Sequence, residues 1–438
     1  MSRLTTKMML LPICLIVVLC VASPVICRGE DWPQWRGDNR DAQIDDPLIA
    51  KKLSDGQLPL RWKVPVGPGY SGPTVANGRV YLTDRQGEER DVVERVLCFD
   101  AETGKTLWTH EDSVEYSIGY SASGPRAAVT IHGDKAIAVG GTGRLSCLQT
   151  ETGKMIWSRD LESDYQIRMP IWGITAAPLV HDGMVIQVVA GTGDACLVAF
   201  DLETGQERWR AIDEKAGYSA PIIVQQGQQD VLVCWTGESV TGLNPSNGET
   251  YWSQPMKPIN MPIGVPTPVV QNNKLLVSSF YDGSMLIALN QDRPAASQLW
   301  WRRGADEKNT DSLHSMISNP LIKGEFIYGV DSYGQFRCLD LMTGDRVWED
   351  LSVVPEARWA TVHMIQNGND EIMLNERGEL LMTTLSPQGI EIRSRSKLLE
   401  PTLQQLRRRD GVVWAHPAIA DGVIYARNDR ELVSASLR

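Results

Sequence analysis

The 438-residue sequence has no Cys-x-x-Cys pair and no Cys-x-x-Cys-His, which removes zinc ribbons and covalently held haem from consideration. It has no Gly-x-Ser-x-Gly elbow and no Ser/His/Asp set with a local signature, so nucleophilic hydrolysis has no visible carrier. Long basic runs are also missing. With a formal net charge of -11, and with Arg-Arg-Arg-Asp over 407–410 as the densest basic stretch, nucleic acid is excluded as a partner. The glycine-rich stretches at 140–143 and 191–193 lead into no helix, so they are hairpin turns rather than phosphate loops.

What is present begins with an export signal. Arg3 and Lys7 precede an apolar stretch that runs to Ala22, and small residues follow before Arg28, which predicts a signal peptide over 1–27. Ile26 and Leu19 stand where a lipoprotein signal carries a small residue before its cysteine, so Cys27 and Cys20 are poor lipid anchors. Membrane contact is then expected only if the chain is lipidated or the signal stays uncleaved. Cys98, Cys147, Cys196, Cys234 and Cys338 remain beyond the signal; three stand six residues before a turn glycine, which predicts buried small side chains rather than partners.

The richest signal is a recurring phrase, an apolar residue followed by Asp-x-x-Thr-Gly-x-x-x-Trp. It ends at Trp108, Trp157, Trp209, Trp252 and Trp348, with Trp300 continuing the series at spacings of 43 to 52 residues. Each copy reads as apolar run, polar turn, apolar run, with alternation such as Met184, Ile186 and Val188, the pattern of a small antiparallel sheet. A seventh unit places Ile392 where the tryptophan belongs, and an eighth stops at Arg438 before its last strand. That missing strand is supplied by residues 60–64 around Trp62, 46 residues before Trp108. The expected fold is therefore all-β: an eight-bladed β-propeller of four-stranded antiparallel blades, closed by an N-terminal strand so that no sheet edge is left open in the ring. The organisation predicted is a signal peptide over 1–27, an N-terminal arm over 28–59 that packs on the propeller, and a single propeller domain over 60–438. The tryptophans (Trp62, Trp108, Trp157, Trp209, Trp252, Trp300 and Trp348) are expected to pack between neighbouring blades. The two indoles of Asp-Trp-Pro-Gln-Trp-Arg-Gly (31–37) are expected on the outside of the ring.

On these residues the chain resembles the PQQ-like, quinoprotein-type β-propeller repeat family, from about residue 62 to the end. The resemblance implies eight blades and two functional branches. One oxidises alcohols or sugars with pyrroloquinoline quinone (PQQ) and Ca²⁺; the other, BamB-like, is non-catalytic. The enzyme branch carries a vicinal disulfide beside the quinone and longer covering loops. No two cysteines are adjacent here, and the one sizeable insertion, residues 84–95, is strongly charged. No catalytic or Ca²⁺-binding residue is carried over.

Loops that enter the inner strand of a propeller blade form one mouth of the channel. Seven of the eight loops carry a ring: Tyr70, Tyr120, Trp172, Tyr218, His314, Trp359 and Trp414. Arg126, Arg168 and Arg358 lie nearby, and Ser71, Ser121, Ser123, Thr175, Ser219, Ser318, Asn319 and Thr361 are interleaved. Rings, hydroxyls and guanidinium groups together suit a planar or sugar-like ligand or a peptide segment. With His416 they make the candidate binding mouth; its alternative role is to cap the blade tops. His314, His363 and His416 enter three successive units and are the candidates for a metal if their loops converge, although no metal is otherwise expected. His110, His132 and His181 are expected in solvated turns.

The function expected is an exported, non-catalytic binding or scaffold module of the periplasm or cell envelope. It is expected to be monomeric and to need no cofactor, with an envelope protein or a small planar or sugar-like ligand at the mouth. The alternative is a quinoprotein dehydrogenase with PQQ and Ca²⁺. A third reading places a client strand on the outer edge of the seventh blade, the one without its tryptophan.

Overall fold

The computed structural model describes Met1 and residues 31–87, 92–116, 124–406 and 410–438. The expected signal peptide, Tyr120, Ser121, Ser123 and residues 407–409 lie outside them. Eight antiparallel sheets follow one another, each running from a short inner strand to an outer strand at the rim. Blade 1 begins with the inner strand Thr74–Ala76 and ends with the outer strand Thr106–Ser113. The eighth sheet joins Ala418–Ala420, Val423–Arg427 and Glu431–Ser436 to the N-terminal strand Leu60–Pro65, antiparallel through Lys63↔Val433. The chain is thus an eight-bladed propeller closed by its own N-terminal strand. The one described α-helix, Leu161–Tyr165, is short, and no described helix is long and apolar enough to cross a membrane.

The repeated phrase is the lock between blades. Trp62 donates its indole N–H to the Ala101 carbonyl at 3.0 Å, Trp108 to Thr150 at 2.9 Å and Trp157 to Leu202 at 2.9 Å. Trp209, Trp300 and Trp348 do the same to Pro245, Leu341 and Ser386. Each indole therefore lies on the turn of the next blade. The glycine of that turn has no choice of side chain, because a Cβ on Gly153 would stand 2.5 Å from the Trp108 ring. The aspartate of the phrase braces the same turn: Asp100 Oδ1 accepts from the amide and the hydroxyl of Thr103. Trp252 is the exception, since the next blade has no Thr-Gly turn. It donates to Gln226 Oε1 within its own blade, and the Gln226 amide reaches the Asn290 and Ala295 carbonyls opposite. Among the described residues the five cysteines are buried and make no disulfide, as the repeat position of Cys98, Cys147 and Cys338 predicts for those three.

The arm is not on the outside of the ring. Trp32 bridges Val75 on the inner strand of blade 1, and the Pro33 carbonyl accepts from Ile131 in blade 2. Trp35 packs on Ala128, Ala177 and Ala220, which precede the inner strands of blades 2, 3 and 4, and donates to Thr267 Oγ1 of blade 5 at 2.7 Å. Arg40 donates to the carbonyls of Ala177, Pro178 and Pro221, and residues Gln43–Ile44 pair with the inner strand of blade 7. A segment that touches this many inner strands lies on the ring axis. Two tryptophans in the arm are therefore channel filling.

After leaving the channel the arm laces blades 7 and 8 together. Ile49, Leu53 and Leu58 are buried with Leu380 and Met382 of blade 7 and Ile424 and Leu432 of blade 8. Gly56–Gln57 then pairs in parallel with Ser396–Lys397 on the outer strand of blade 7. The arm thus covers the Ser396–Lys397 end of the outer strand Gly389–Lys397. In this blade Ser394 opposite Met382, not Ile392, takes the place that Trp348 has opposite Cys338, which corrects the expectation for Ile392.

Candidate functional site

The loops before the inner strands and the hairpins between second and third strands share one face of the ring. On that face Tyr70, Trp414, Trp359 and Phe280 form a continuous path, with ring centroids 6.4 Å apart for Tyr70 and Trp414, 6.5 Å for Trp414 and Trp359, and 6.3 Å for Trp359 and Phe280. These spacings are those of offset and edge-to-face aromatic pairs. Met261, Val265, Tyr281 and Ile317 extend the half-buried apolar surface. Trp172 packs in the same cluster and pairs with Tyr218 at 5.0 Å.

Two guanidinium groups lie over this path. Arg126 stands 4.6 Å from the Tyr70 ring centre, and Arg358 stands 4.5 Å from Trp359 and 5.2 Å from Phe280. Glu307 grips Arg358 through two hydrogen bonds of 2.7 Å and holds its pKa above the ordinary arginine value. Burial lowers that of Arg126. Arg168 is exposed. Trp359 has φ +67, a left-handed backbone that a bulky residue adopts only under constraint. Its amide is tied to the Ser332 carbonyl at 2.8 Å.

Several expected mouth groups are turned inward. The Ser71 hydroxyl donates to Thr83, Thr175 to Tyr218 and Thr361 to Trp359, while Ser318 accepts from the Val362 amide. These hydroxyls join loops to strands. His314 is buried, with Nδ1 on the Phe280 carbonyl at 3.0 Å and Nε2 accepting from the Gly304 amide at 3.2 Å. His416 lies below the mouth, edge-on to Trp35 at 4.2 Å, and its Nδ1 donates to Pro417. His363 donates through Nε2 to the Trp414 carbonyl at 2.7 Å, and its ring centre is 6.2 Å from that of His416. His363 and His416 are therefore neighbours, whereas the nitrogens of His314 are occupied elsewhere. Desolvation by burial lowers all three pKa values, His363 to about 4 and His416 to about 3. Three imidazoles with these partners do not form a metal site.

Sequence reasoning missed Trp35, the floor of the mouth, and Phe280 with Tyr281. The last two lie between strands Lys274–Ser279 and Gly283–Leu289, in a hairpin class that faces the mouth but precedes no inner strand. His110 lies within an outer strand and His181 at the end of an inner one, so neither is the solvated turn residue expected.

A family model described as outer membrane protein assembly factor BamB matches residues 42–123 and 92–350. The chain belongs to this PQQ-like propeller family. No curated protein matches it in sequence. Among solved structures, BamB from Moraxella catarrhalis is similar at 14% identity and TM-score 0.60, over 86% of this chain and 97% of that one. The quinohemoprotein alcohol dehydrogenase of Comamonas testosteroni is similar at 14% identity and TM-score 0.67, over 93% of this chain and 80% of that one. The quinohemoprotein alcohol dehydrogenase ADHIIG of Pseudomonas putida HK5 aligns at 13% identity and TM-score 0.61, over 93% and 80%. At these identities the likeness concerns the fold.

For the quinone and Ca²⁺ that one branch of PQQ-like propellers uses, the donor chemistry decides. Calcium needs six to eight oxygen ligands, several from carboxylates. Near the mouth, Glu307 is engaged by Arg358 and Tyr333, and Asp331 by Arg337, Thr310 and the His314 amide. Among the described residues, the one group of three metal-ligating side chains within reach of one another is His181, Asp182 and Asp230, which lies about the hairpins that follow the inner strands, on the face away from the mouth. Glu307 and Asp331 therefore offer no unengaged carboxylate to a Ca²⁺-held quinone.

Proposed function

We propose that this PQQ-like propeller is an exported, non-catalytic binding module of the cell envelope. Its mouth takes an extended peptide segment of an envelope protein or a planar or sugar-like ligand. The observation that carries this reading is the pair of half-buried rings Tyr70 and Trp359, joined through the buried Trp414 and backed by the buried Phe280, with Arg126 over Tyr70 and Arg358 over Trp359. The path stands above a channel filled by the chain's own Trp35, so a ligand rests on the face instead of entering the axis. Export rests on the segment 1–27, and the envelope setting on the family description.

The test is a titration of the purified protein, read by tryptophan fluorescence and thermal melting, with peptides from outer-membrane proteins, with oligosaccharides, and with PQQ plus Ca²⁺. Saturable binding of a peptide or a sugar, lost in Trp359→Ala, is the expected result. A ligand at a hundredfold excess over its dissociation constant stabilises by about 2.7 kcal/mol, well within detection. Saturable PQQ binding with dye-linked alcohol or sugar oxidation overturns the reading.

A further inference from the structure

On the face opposite the mouth, the seam between blades 3 and 4 gathers a histidine and two aspartates from separate elements. His181 ends the inner strand Leu179–His181 of blade 3, Asp182 follows in the turn, and Asp230 stands on strand Gln229–Trp235 of blade 4. His181 Nε2 is 3.4 Å from Asp182 Oδ2 and 3.2 Å from Asp230 Oδ2. We infer that His181, Asp182 and Asp230 form a binding site for one divalent transition-metal ion of the zinc type, which bridges blades 3 and 4.

Three observations support it. First, a zinc ion holds imidazole nitrogen and carboxylate oxygen at about 2.0 to 2.2 Å, which in a tetrahedron sets neighbouring donors about 3.4 Å apart. The two measured separations already have this length. Second, Nε2 is buried from solvent yet makes no hydrogen bond with acceptable geometry, even with two carboxylates beside it. What sets it apart from His110 Nε2, which is likewise buried without a hydrogen bond beside the one carboxylate of Asp112, is that carboxylates from two blades stand within 3.4 Å of it. Third, the Gln225 amide donates to the other oxygen of Asp230, an outer contact of the kind that orients a ligating carboxylate. Asp182 is 76% exposed, which leaves the fourth coordination position to water. The donors, one imidazole and two carboxylates, favour zinc over the all-oxygen demand of calcium. The site is independent of the mouth reading, since it shares no residue with it.

The experiment is competition for Zn²⁺ against a chromophoric chelator, with melting curves recorded with and without the metal. The wild-type protein is expected to take up one equivalent and to melt higher, reversibly on addition of EDTA. Asp182→Ala, at an exposed position, and Asp230→Asn are expected to weaken uptake at least tenfold, and His181→Ala to abolish it. His110→Ala removes the other close His/Asp pair, with Nε2 3.3 Å from Asp112, and is expected to keep full uptake. The inference is overturned if wild type binds no zinc or if His181→Ala and Asp182→Ala bind it as wild type does.

Discussion

The indole N–H of Trp35 donates to Thr267 Oγ1 at 2.7 Å, a bond between residues 232 positions apart that closes the axis of the ring. Beside it, Arg36 and Arg40 are buried without a direct ion pair among the described residues, and desolvation lowers their pKa values to about 10 and about 9. Arg40 is satisfied by backbone carbonyls of blades 3 and 4. Arg36 is satisfied within the arm by the Arg40 and Asp41 carbonyls, so it is Arg40 that exchanges solvation for hydrogen bonds to two blades at once. Trp35→Ala removes the indole from this junction and is expected to cost about 3 kcal/mol. Urea unfolding checks this; an unchanged midpoint would mean that the ring holds without its plug.

Gln226 is the second place where one side chain replaces a missing motif. It accepts from Trp252 at 2.8 Å and donates to Asn290 and Ala295 at 3.1 and 2.7 Å. Gln226→Ala leaves a buried indole donor and two carbonyls without partners, at about 1 to 3 kcal/mol for each group that water cannot reach. Gln226→Glu keeps the acceptor and loses the donors, so it is expected to be destabilising at neutral pH and less so in acid, where the carboxyl regains a proton. Melting temperatures at pH 7 and pH 5 distinguish the two variants.

The contrast between these two devices explains what was legible in the chain. The Trp and Thr-Gly phrase repeats, and a repeated residue has one job in each blade; the eight sheets and the closure through Trp62 follow from that. The arm occurs once. Its contacts join residues 31–44 to inner strands throughout the chain, and no local pattern encodes partners that distant. Ile49, Leu53 and Leu58 look like scattered apolar residues until the seam between blades 7 and 8 is seen to need them, where Ser394 stands in the tryptophan's place and accepts from the Leu53 amide. At the mouth, Tyr70, Trp359 and Trp414 were found from their place before the inner strands. Phe280 and Tyr281 lie in the other loop class that reaches that face, a hairpin between second and third strands whose sequence carries no mark of the face it joins.

Gly153 and Gly78 test the interblade lock directly. Both have a left-handed backbone, with φ +70 and +72, so alanine is strained by about 1 kcal/mol at either. A Cβ at Gly78 meets nothing within 4 Å, while one at Gly153 stands 2.5 Å from Trp108. Gly153→Ala is therefore expected to destabilise by at least about 2 kcal/mol more than Gly78→Ala. Equal losses in denaturant would show that the indole moves aside freely.

Acid sensitivity is expected to arise under the mouth. His363 and His416 are neutral in the fold, with pKa values of about 4 and about 3, because burial disfavours their charged forms. The unfolded chain takes up these protons near pH 6.5, so below that pH it binds more protons than the folded chain and stability falls. Each histidine contributes a slope of up to about 1.4 kcal/mol per pH unit, from about pH 6.5 down to its folded pKa. Arg36 lies close enough to both rings to oppose their protonation. The double variant His363→Asn, His416→Asn removes the two titrating groups, so its stability should vary less between pH 6.5 and 4.5 even if it is lower throughout. If urea unfolding gives both proteins the same dependence over that interval, carboxylates elsewhere in the ring, and not this pair, govern its response to acid.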